Sequence, residues 1–453
     1  MSLSSVRKMT GANYKQLYIS WMSYTFDILD FIALTYVIAP ISQQIYPSKV
    51  VGISLLVVWG GFAAGALTRP LGAGVFGRIT DMAGRKRALY YSTLGASVFT
   101  ALIGVIPTYA QVGVLSPVIF VSLRLIDGVF IGGLISAGLV FAPENFPERF
   151  RGVLTGFAES GGSWAHVIGA SWLLVITMLF TGSAYTTVGW RLMFAVTLFP
   201  LVLIMPVLYF IPESNIFNMA KKKGKTGRGP LRTLFITKSK TRNLFYLMLG
   251  LSIGLLGFDN LTENQFPSFL GVVNHVPSST IAFIVLVGAF AGVVGSVFGG
   301  GISQFFGRKR TGVVGGIILI LLSPLYYYIG ATPGGETFTL ILLLMPFFFF
   351  ASISKAVLSL VLNENFPTEL RGSALGLNWN IGYGLAGVWP LIITAAVAAY
   401  GVSVYGLVSA IFIGVLAVIY TVSTLFTTES KGNIDREQAE LATAETPSPP
   451  ANA

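Results

Sequence analysis

Long apolar runs separated by short polar connections leave this chain few ways to fold. A helix that crosses a bilayer needs about 20 mainly apolar residues, and runs of that length recur along most of the sequence. Spans are expected near 17–45, 51–79, 88–108, 113–142, 151–180 and 190–211. After a polar stretch they resume near 243–272, 278–302, 311–331, 336–363, 372–400 and 402–427. Only 10% of the 453 residues are charged and 54% are hydrophobic. Soluble domains carry roughly 25% charged residues, so most of this surface must face lipid. The start, MSLSSVRKMTGANYKQ, is polar, and the run after it is too long for a signal core. That run is expected to be a first span, not a cleaved leader.

The net charge of +11 does not point to nucleic acid, because the Lys and Arg residues sit in alternate connections between apolar runs. One side holds Arg7, Lys8, Lys15, Arg85–Arg87, Arg149, Arg151, Arg308–Arg310, Arg371, Lys431 and Arg436, whereas the other holds little beyond Lys49 and Arg191. Basic residues stay on the cytoplasmic face. A cell-membrane protein with both termini cytoplasmic is therefore expected, with the lipid bilayer as its partner and no nucleic acid. The chain has no cysteine, which excludes disulfides, thiolate metal sites and cysteine nucleophiles. No metal site or cofactor is expected.

Two motifs occur twice. ENFPERFRG (residues 144–152) returns as ENFPTELRG (364–372), and GRITDMAGRKR (77–87) returns as GISQFFGRKR (301–310). Each copy falls at the same place in its half, the basic one after the second span and the ENFP one after the fourth. The expected fold is an all-α polytopic membrane protein of twelve transmembrane helices in two six-helix pseudo-symmetric bundles. The halves cover 1–211 and 243–427, joined by a basic linker at 212–242 and followed by a disordered tail at 428–453. Such paired halves suit a transporter with its substrate site between them.

The pattern Gly77-x-x-x-Asp81-x-x-Gly84-Arg85-Lys86-Arg87 resembles the loop signature of the major facilitator superfamily. Arg124-x-x-Asp127-Gly128-x-x-x-Gly132-Gly133 resembles its fourth-helix signature, with Asp127 where that pattern has Gln. IPES (211–214) and TTESKG (427–432) resemble the half-ending motifs of its sugar-transporter branch. The first helix, SWMSYTFDILDFIALTYVIAPI, is similar to that of sialate and lactate proton symporters, and TRPLGAGVFGRITDMAGRKR to organic-acid:proton symporters more broadly. The resemblance implies proton-coupled alternating access, with the fourth-helix Arg124 coupling protonation to movement. The second-half loop departs from the pattern at Gln304, where an acid could stand.

A charge at the bilayer centre costs about 3 kcal/mol on insertion scales, so each one needs a partner, a wet cavity or a task. Asp27 and Asp30 lie one helical turn apart and resist simultaneous ionisation, which suits a site that loads and unloads a proton. The alternative is a permanent pair with a buried base. Arg69 and Arg124 are candidate partners, and Arg124 has Asp127 on its own face. Glu159 and His166 share a face of the fifth helix and complete the candidate proton-coupling set. Arg69 could instead grip a substrate carboxylate. Lys355 could pair with Asp259 or Glu263 or bind an anion directly. With Asn264, Asn378, Trp379 and Tyr383 these form the candidate substrate site, and Trp164 and Asn380 are further candidates for shaping it.

The candidate gating residues are Gly77, Asp81, Gly84, Arg85, Lys86, Glu144, Arg151, Glu364 and Arg371. Pairs such as Asp81 with Arg85 and Glu144 with Arg151 are expected to hold one state, and plain helix capping is the alternative. Proton symport of a small carboxylate by a monomer is the favoured function. A sugar transporter of the same superfamily and a transporter-like membrane sensor are the alternatives. No nucleotide loop, serine elbow or other enzyme motif is present, so no enzyme is expected.

Overall fold

The structure, a computed structural model, describes residues 10–48, 51–141, 146–210, 234–236, 239–326 and 337–437. Among these residues, nine helices are long and apolar enough to cross a membrane. The first span is a bent pair, Asn13–Thr35 and Ile38–Ile45, with an angle of 59° between its limbs. We label it α1. The others are α2 (Val51–Ala83), α3 (Arg85–Ile103), α4 (Leu115–Phe141), α5 (Glu148–Leu179) and α6 (Gly189–Phe210) in the first half. The second half holds α7 (Lys240–Gly271), α8 (Ser278–Phe306), α9 (Arg308–Leu322), α10 (Thr337–Asn365), α11 (Leu370–Tyr400) and α12 (Val402–Leu425). Helices α3 and α9 each open with Arg-Lys-Arg, which lowers their mean hydropathy, and together with the bent pair they complete twelve. Helix α7 starts at Lys240, capped by the Ser239 hydroxyl, which accepts from the Arg242 amide at 3.2 Å. The second half thus begins three residues before the expected boundary.

The repeated motifs become repeated geometry. Gly84 and Gly307 precede α3 and α9 with φ of 101° and 92°, a left-handed backbone that favours glycine. Pro147 and Pro367, the prolines of the two ENFP motifs, sit as N-caps of α5 and of the helix Thr368–Ala386 that opens α11. Packing follows the same rule. Within the first half α2 packs on α4, α1 on α5 and α3 on α4, and the second half repeats this as α8 on α10, α7 on α11 and α9 on α10.

Two seams join the halves, α5 against α8 and α2 against α11. Small residues let the backbones meet there. A side chain at Gly152 would strike the Gly300 carbonyl, and one at Gly156 would strike the Ser296 carbonyl. On the other seam Gly77 faces Ser373, and Gly384 faces the Ala66 carbonyl. The outer faces stay apolar and exposed, for example Phe290, Val294 and Phe298 on α8 and Leu407, Ile411 and Val415 on α12. That surface suits lipid.

Candidate functional site

The polar residues that the spans bury form two clusters, one within the first half and one within the second, with Arg69 and Asn380 joined between them. Asp27, Asp30, Asp127, Glu159, Asp259 and Glu263 are all at most 4% exposed, and so are Arg69, Arg124 and Lys355. Carboxyl groups outnumber bases there by two to one.

In the first half each arginine takes its own acid. Arg69 pairs with Asp27 and donates through Nε to Asn380 of α11 at 3.0 Å, which carries the pair across to the second half. Its guanidinium lies over the Phe31 ring at 4.8 Å and the Tyr383 ring at 5.2 Å. Arg124 holds Asp30 with both terminal nitrogens, at 2.8 and 3.2 Å, and Asp127 at 2.8 Å. Thr100 of α3 stands between these acids, its Oγ1 3.0 Å from Asp30 and 2.8 Å from Asp127. A hydroxyl has one proton to donate, so two such contacts are both hydrogen bonds only when one carboxyl also carries a proton.

In the second half a π turn, Asn260–Asn264, interrupts α7 directly after Asp259 and contains Glu263. Such turns frequently mark functional sites. Lys355 of α10 reaches both acids, Asp259 at 2.5 Å and Glu263 at 3.0 Å, and the Tyr383 hydroxyl donates to Asp259 at 2.9 Å. Lys355 therefore takes both of the partners between which its sequence left a choice. Glu263 is buried within this cluster, not at a wet surface. His166 leaves Glu159 and turns to Tyr36 of α1, whose hydroxyl lies 2.9 Å from Nδ1, while Nε2 lies 3.7 Å from Glu263.

Several of these atoms have unspent hydrogen-bonding capacity among the described residues. They include Asp27 Oδ2, Arg69 Nη1, Trp379 Nε1 and both oxygens of Glu159. Ser359 and Lys355 of α10, Asp259 of α7 and Asp27 of α1 are polar groups that act on Glu159. Trp379 stacks edge-on with Tyr24, centroids 5.6 Å apart, and lies 6.2 Å from Tyr383. Asn264 donates to Asn260 at 3.3 Å, and Asn378 donates to its own helix at Ala374. Trp164 packs between Trp21 and Phe290, away from these polar groups. Thr100, Tyr24, Tyr36 and Ser359 were not singled out from sequence, since lone hydroxyls in apolar helices carry no spacing signal.

At the basic end further pairs join these elements. Glu364, at the end of α10, pairs with Arg308, the first residue of α9, at 3.0 Å. Gln304 fills the place of the missing acid as a bridge: it accepts from Arg308 at 3.0 Å and donates across the seam to the Glu148 carbonyl at 2.9 Å. Lys86 donates to the Tyr209 carbonyl at 2.9 Å, and Arg85 is buried at the start of α3. Glu144, the IPES motif, most of the 212–242 linker, the tail beyond 437 and the side chain of Asp81 lie outside the described residues.

The tail expected to be disordered from residue 428 instead contributes a strap through 437, because each of its acids finds a buried cation or amide. Glu429 accepts from the Arg308 and Lys309 amides at 2.9 and 3.2 Å. Ser430 donates to Glu364 at 2.9 Å. Asp435 receives Arg151 of the first half at 2.5 and 2.9 Å, and Glu437 receives Arg371 at 2.6 Å and the Thr368 amide at 2.7 Å. Asp435 is partly exposed, so its pair is worth at most about 1 kcal/mol. Asp435→Asn is expected to speed maleimide labelling of a cysteine placed at Ser373 by about two- to fivefold, the corresponding population shift. An unchanged rate would show that the strap does not hold the halves.

Comparison with known proteins agrees with this architecture. Residues 20–390 match the sequence profile described as Major Facilitator Superfamily. The chain is 27% identical over 412 residues to the glycine betaine/proline/ectoine/pipecolic acid transporter OusA of Dickeya dadantii, covering 88% of this chain and 80% of that one. It is 25% identical over 385 residues to the inner membrane metabolite transport protein YhjE of Escherichia coli, covering 82% and 83%. Among solved structures it resembles the proton:xylose symporter XylE at a TM-score of 0.72 and 16% identity, over 95% of this chain and 99% of that one. At that identity the likeness is one of fold.

Proposed function

The chain belongs to the Major Facilitator Superfamily, a multi-pass membrane secondary transporter and not an enzyme, and from that premise we propose proton-coupled symport of a small carboxylate-bearing metabolite. The observation that carries the proton is Thr100 between Asp30 and Asp127. Two carboxyls on one arginine leave a surplus negative charge, and one shared proton removes it. Asp27 has a different part: it is matched one to one with Arg69, and this pair spans to Asn380, so it ties closure of the two halves to the site. Arg124 is the element whose grip changes when the Asp30–Asp127 proton leaves.

The unspent Arg69 Nη1 and Trp379 Nε1 are donors for the substrate carboxylate. Glu159, whose oxygens accept no hydrogen bond among the described residues and which acts on Tyr24, favours a substrate that also carries a positive charge, as cations are attracted to carboxylates and aromatic faces. A zwitterion of the betaine or proline kind, which the name of the relative OusA includes, fits both ends. Basic connections on one side support a cell-membrane orientation with both termini cytoplasmic, and the site needs no second copy of the chain.

The test is uptake of labelled glycine betaine, proline, lactate, sialate and glucose into proteoliposomes with and without an imposed pH gradient. Gradient-driven accumulation of a carboxylate compound is expected. Accumulation of glucose alone would replace this reading with the sugar one, and no uptake of any compound would favour a sensor. Asp30→Asn should reduce accumulation to the level seen without a gradient while leaving substrate exchange intact. Asp27→Asn should lose both. Gradient-driven accumulation by Asp30→Asn equal to wild type would exclude the Asp30–Asp127 pair as the coupling site.

A further inference from the structure

We infer that Glu263 is a second proton-carrying carboxyl, separate from the Asp30–Asp127 pair and loaded through His166. The inference rests on the proton-coupled reading above and adds a second site to it.

Lys355 is one ammonium between two carboxyls, and all three side chains are at most 2% exposed. A surplus charge sealed from water must be neutralised. Asp259 is the better-satisfied acid, since Lys355 donates to one oxygen and Tyr383 to the other. Glu263 shares Lys355 through Oε2, while Oε1 is buried with no partner. The surplus charge therefore falls on Glu263, and a proton there leaves Lys355 matched to Asp259 alone.

A route to that proton is built beside it. His166 Nε2 is 3.7 Å from Glu263 Oε2, and its other nitrogen meets the Tyr36 hydroxyl at 2.9 Å. His166 passes its Nε2 proton to Glu263 as Tyr36 gives one to Nδ1 and takes one from a hydronium ion in turn, which releases water and leaves the neutral ring protonated at Nδ1. A small approach of the ring closes the first gap to hydrogen-bonding distance. The charged and titratable groups facing Glu263 are Asp259 on its own helix, Lys355 on α10 and His166 on α5, with Tyr36 of α1 and Tyr383 of α11 behind them. Glu159 of α5 interacts with Asp259 and Lys355, and also with Asp27 of α1. None of these belongs to the Asp30, Asp127, Arg124 and Thr100 cluster, which sits on α1, α3 and α4. Tyr36 lies close to the break in α1, where the chain bends, so a shift of the outer limb would open or sever the route.

The experiment needs no substrate. Infrared difference spectra of the purified protein, recorded as the pH is stepped, resolve the carbonyl bands of protonated carboxyls. Wild type should give two separable titrating bands. Glu263→Gln should remove one and Asp30→Asn the other, while Glu263→Asp keeps both bands with one displaced. His166→Phe should retain the Glu263 band but slow its appearance after a pH jump by about tenfold, a rate effect expected when a positioned proton donor is lost. A single band in wild type, or a Glu263→Gln spectrum equal to that of wild type, overturns the second site. Loss of both bands in Asp30→Asn overturns its independence. Retained speed in His166→Phe overturns the relay. None of these outcomes touches the uptake test, so failure here is distinguishable from failure of proton symport itself.

Discussion

Arg124→Ala is expected to abolish gradient-driven uptake and to destabilise the protein by about 3–5 kcal/mol, the usual cost of stripping a buried ion pair of one partner. The reason is local. Arg124 alone brings base to both Asp30 and Asp127, and its removal leaves two carboxyls around one threonine hydroxyl with no compensating charge. Arg124→Lys should fold, because a charge remains, yet uptake should fall by about tenfold or more because an ammonium cannot reproduce the two-pronged grip on Asp30. The combination Arg124→Ala with Asp30→Asn separates stability from transport: it removes one orphaned charge, so thermal stability in detergent should recover in part while uptake stays absent. Wild-type accumulation by Arg124→Ala would remove Arg124 from the coupling scheme altogether.

Gly156→Leu should lower uptake below about a tenth of wild type without unfolding either half, since overpacking a tight contact forces the backbones apart. The side chain would press on Ser296 and Gly300 of α8, across the seam, and not on its own bundle. The halves then cannot close at the basic end, and a transporter that rocks between two states is left in one. The native chain has no cysteine, so a single Ser296→Cys reports the result cleanly. Its labelling from the basic side should be slow in the otherwise native protein and fast beside Gly156→Leu. Slow labelling and normal uptake together would mean that the α5–α8 seam tolerates separation.

Much of this was legible before any coordinates, for identifiable physical reasons. Apolar length set the span ends to within about five residues except in the ninth, expected to reach 331 and ending at Leu322, and the paired Gly-Arg-Lys-Arg and ENFP motifs pointed to the two halves. The one-turn spacing of Asp27 and Asp30 identified a face, and the rarity of intramembrane charge made Arg69, Arg124 and Lys355 the natural partners. Pair assignment was not legible, because two acids and two arginines on three helices allow either arrangement. Sequence left Lys355 two roles, a partner for Asp259 or Glu263 or an anion receptor, and the structure shows it donating to both acids. The basic end was the least legible. Arg151 and Asp435 are 284 positions apart, and Arg308 and Glu364 are 56 apart. No local spacing connects such residues, and a short polar segment after the last span has the composition of a loose tail.

That terminal strap also gives the protein a built-in protease clock. Lys431 and Arg436 flank Asp435, and Arg436 is exposed even with the strap seated. Seated, the backbone between them is held by Glu429, Ser430, Asp435 and Glu437 on four separate anchors. A trypsin site must enter the protease cleft as an extended strand, so the strap has to detach from Arg151 before it is cut. The rate at which trypsin trims the terminus therefore measures how often the two halves let go of one another, and it can be read on an unlabelled, otherwise native protein.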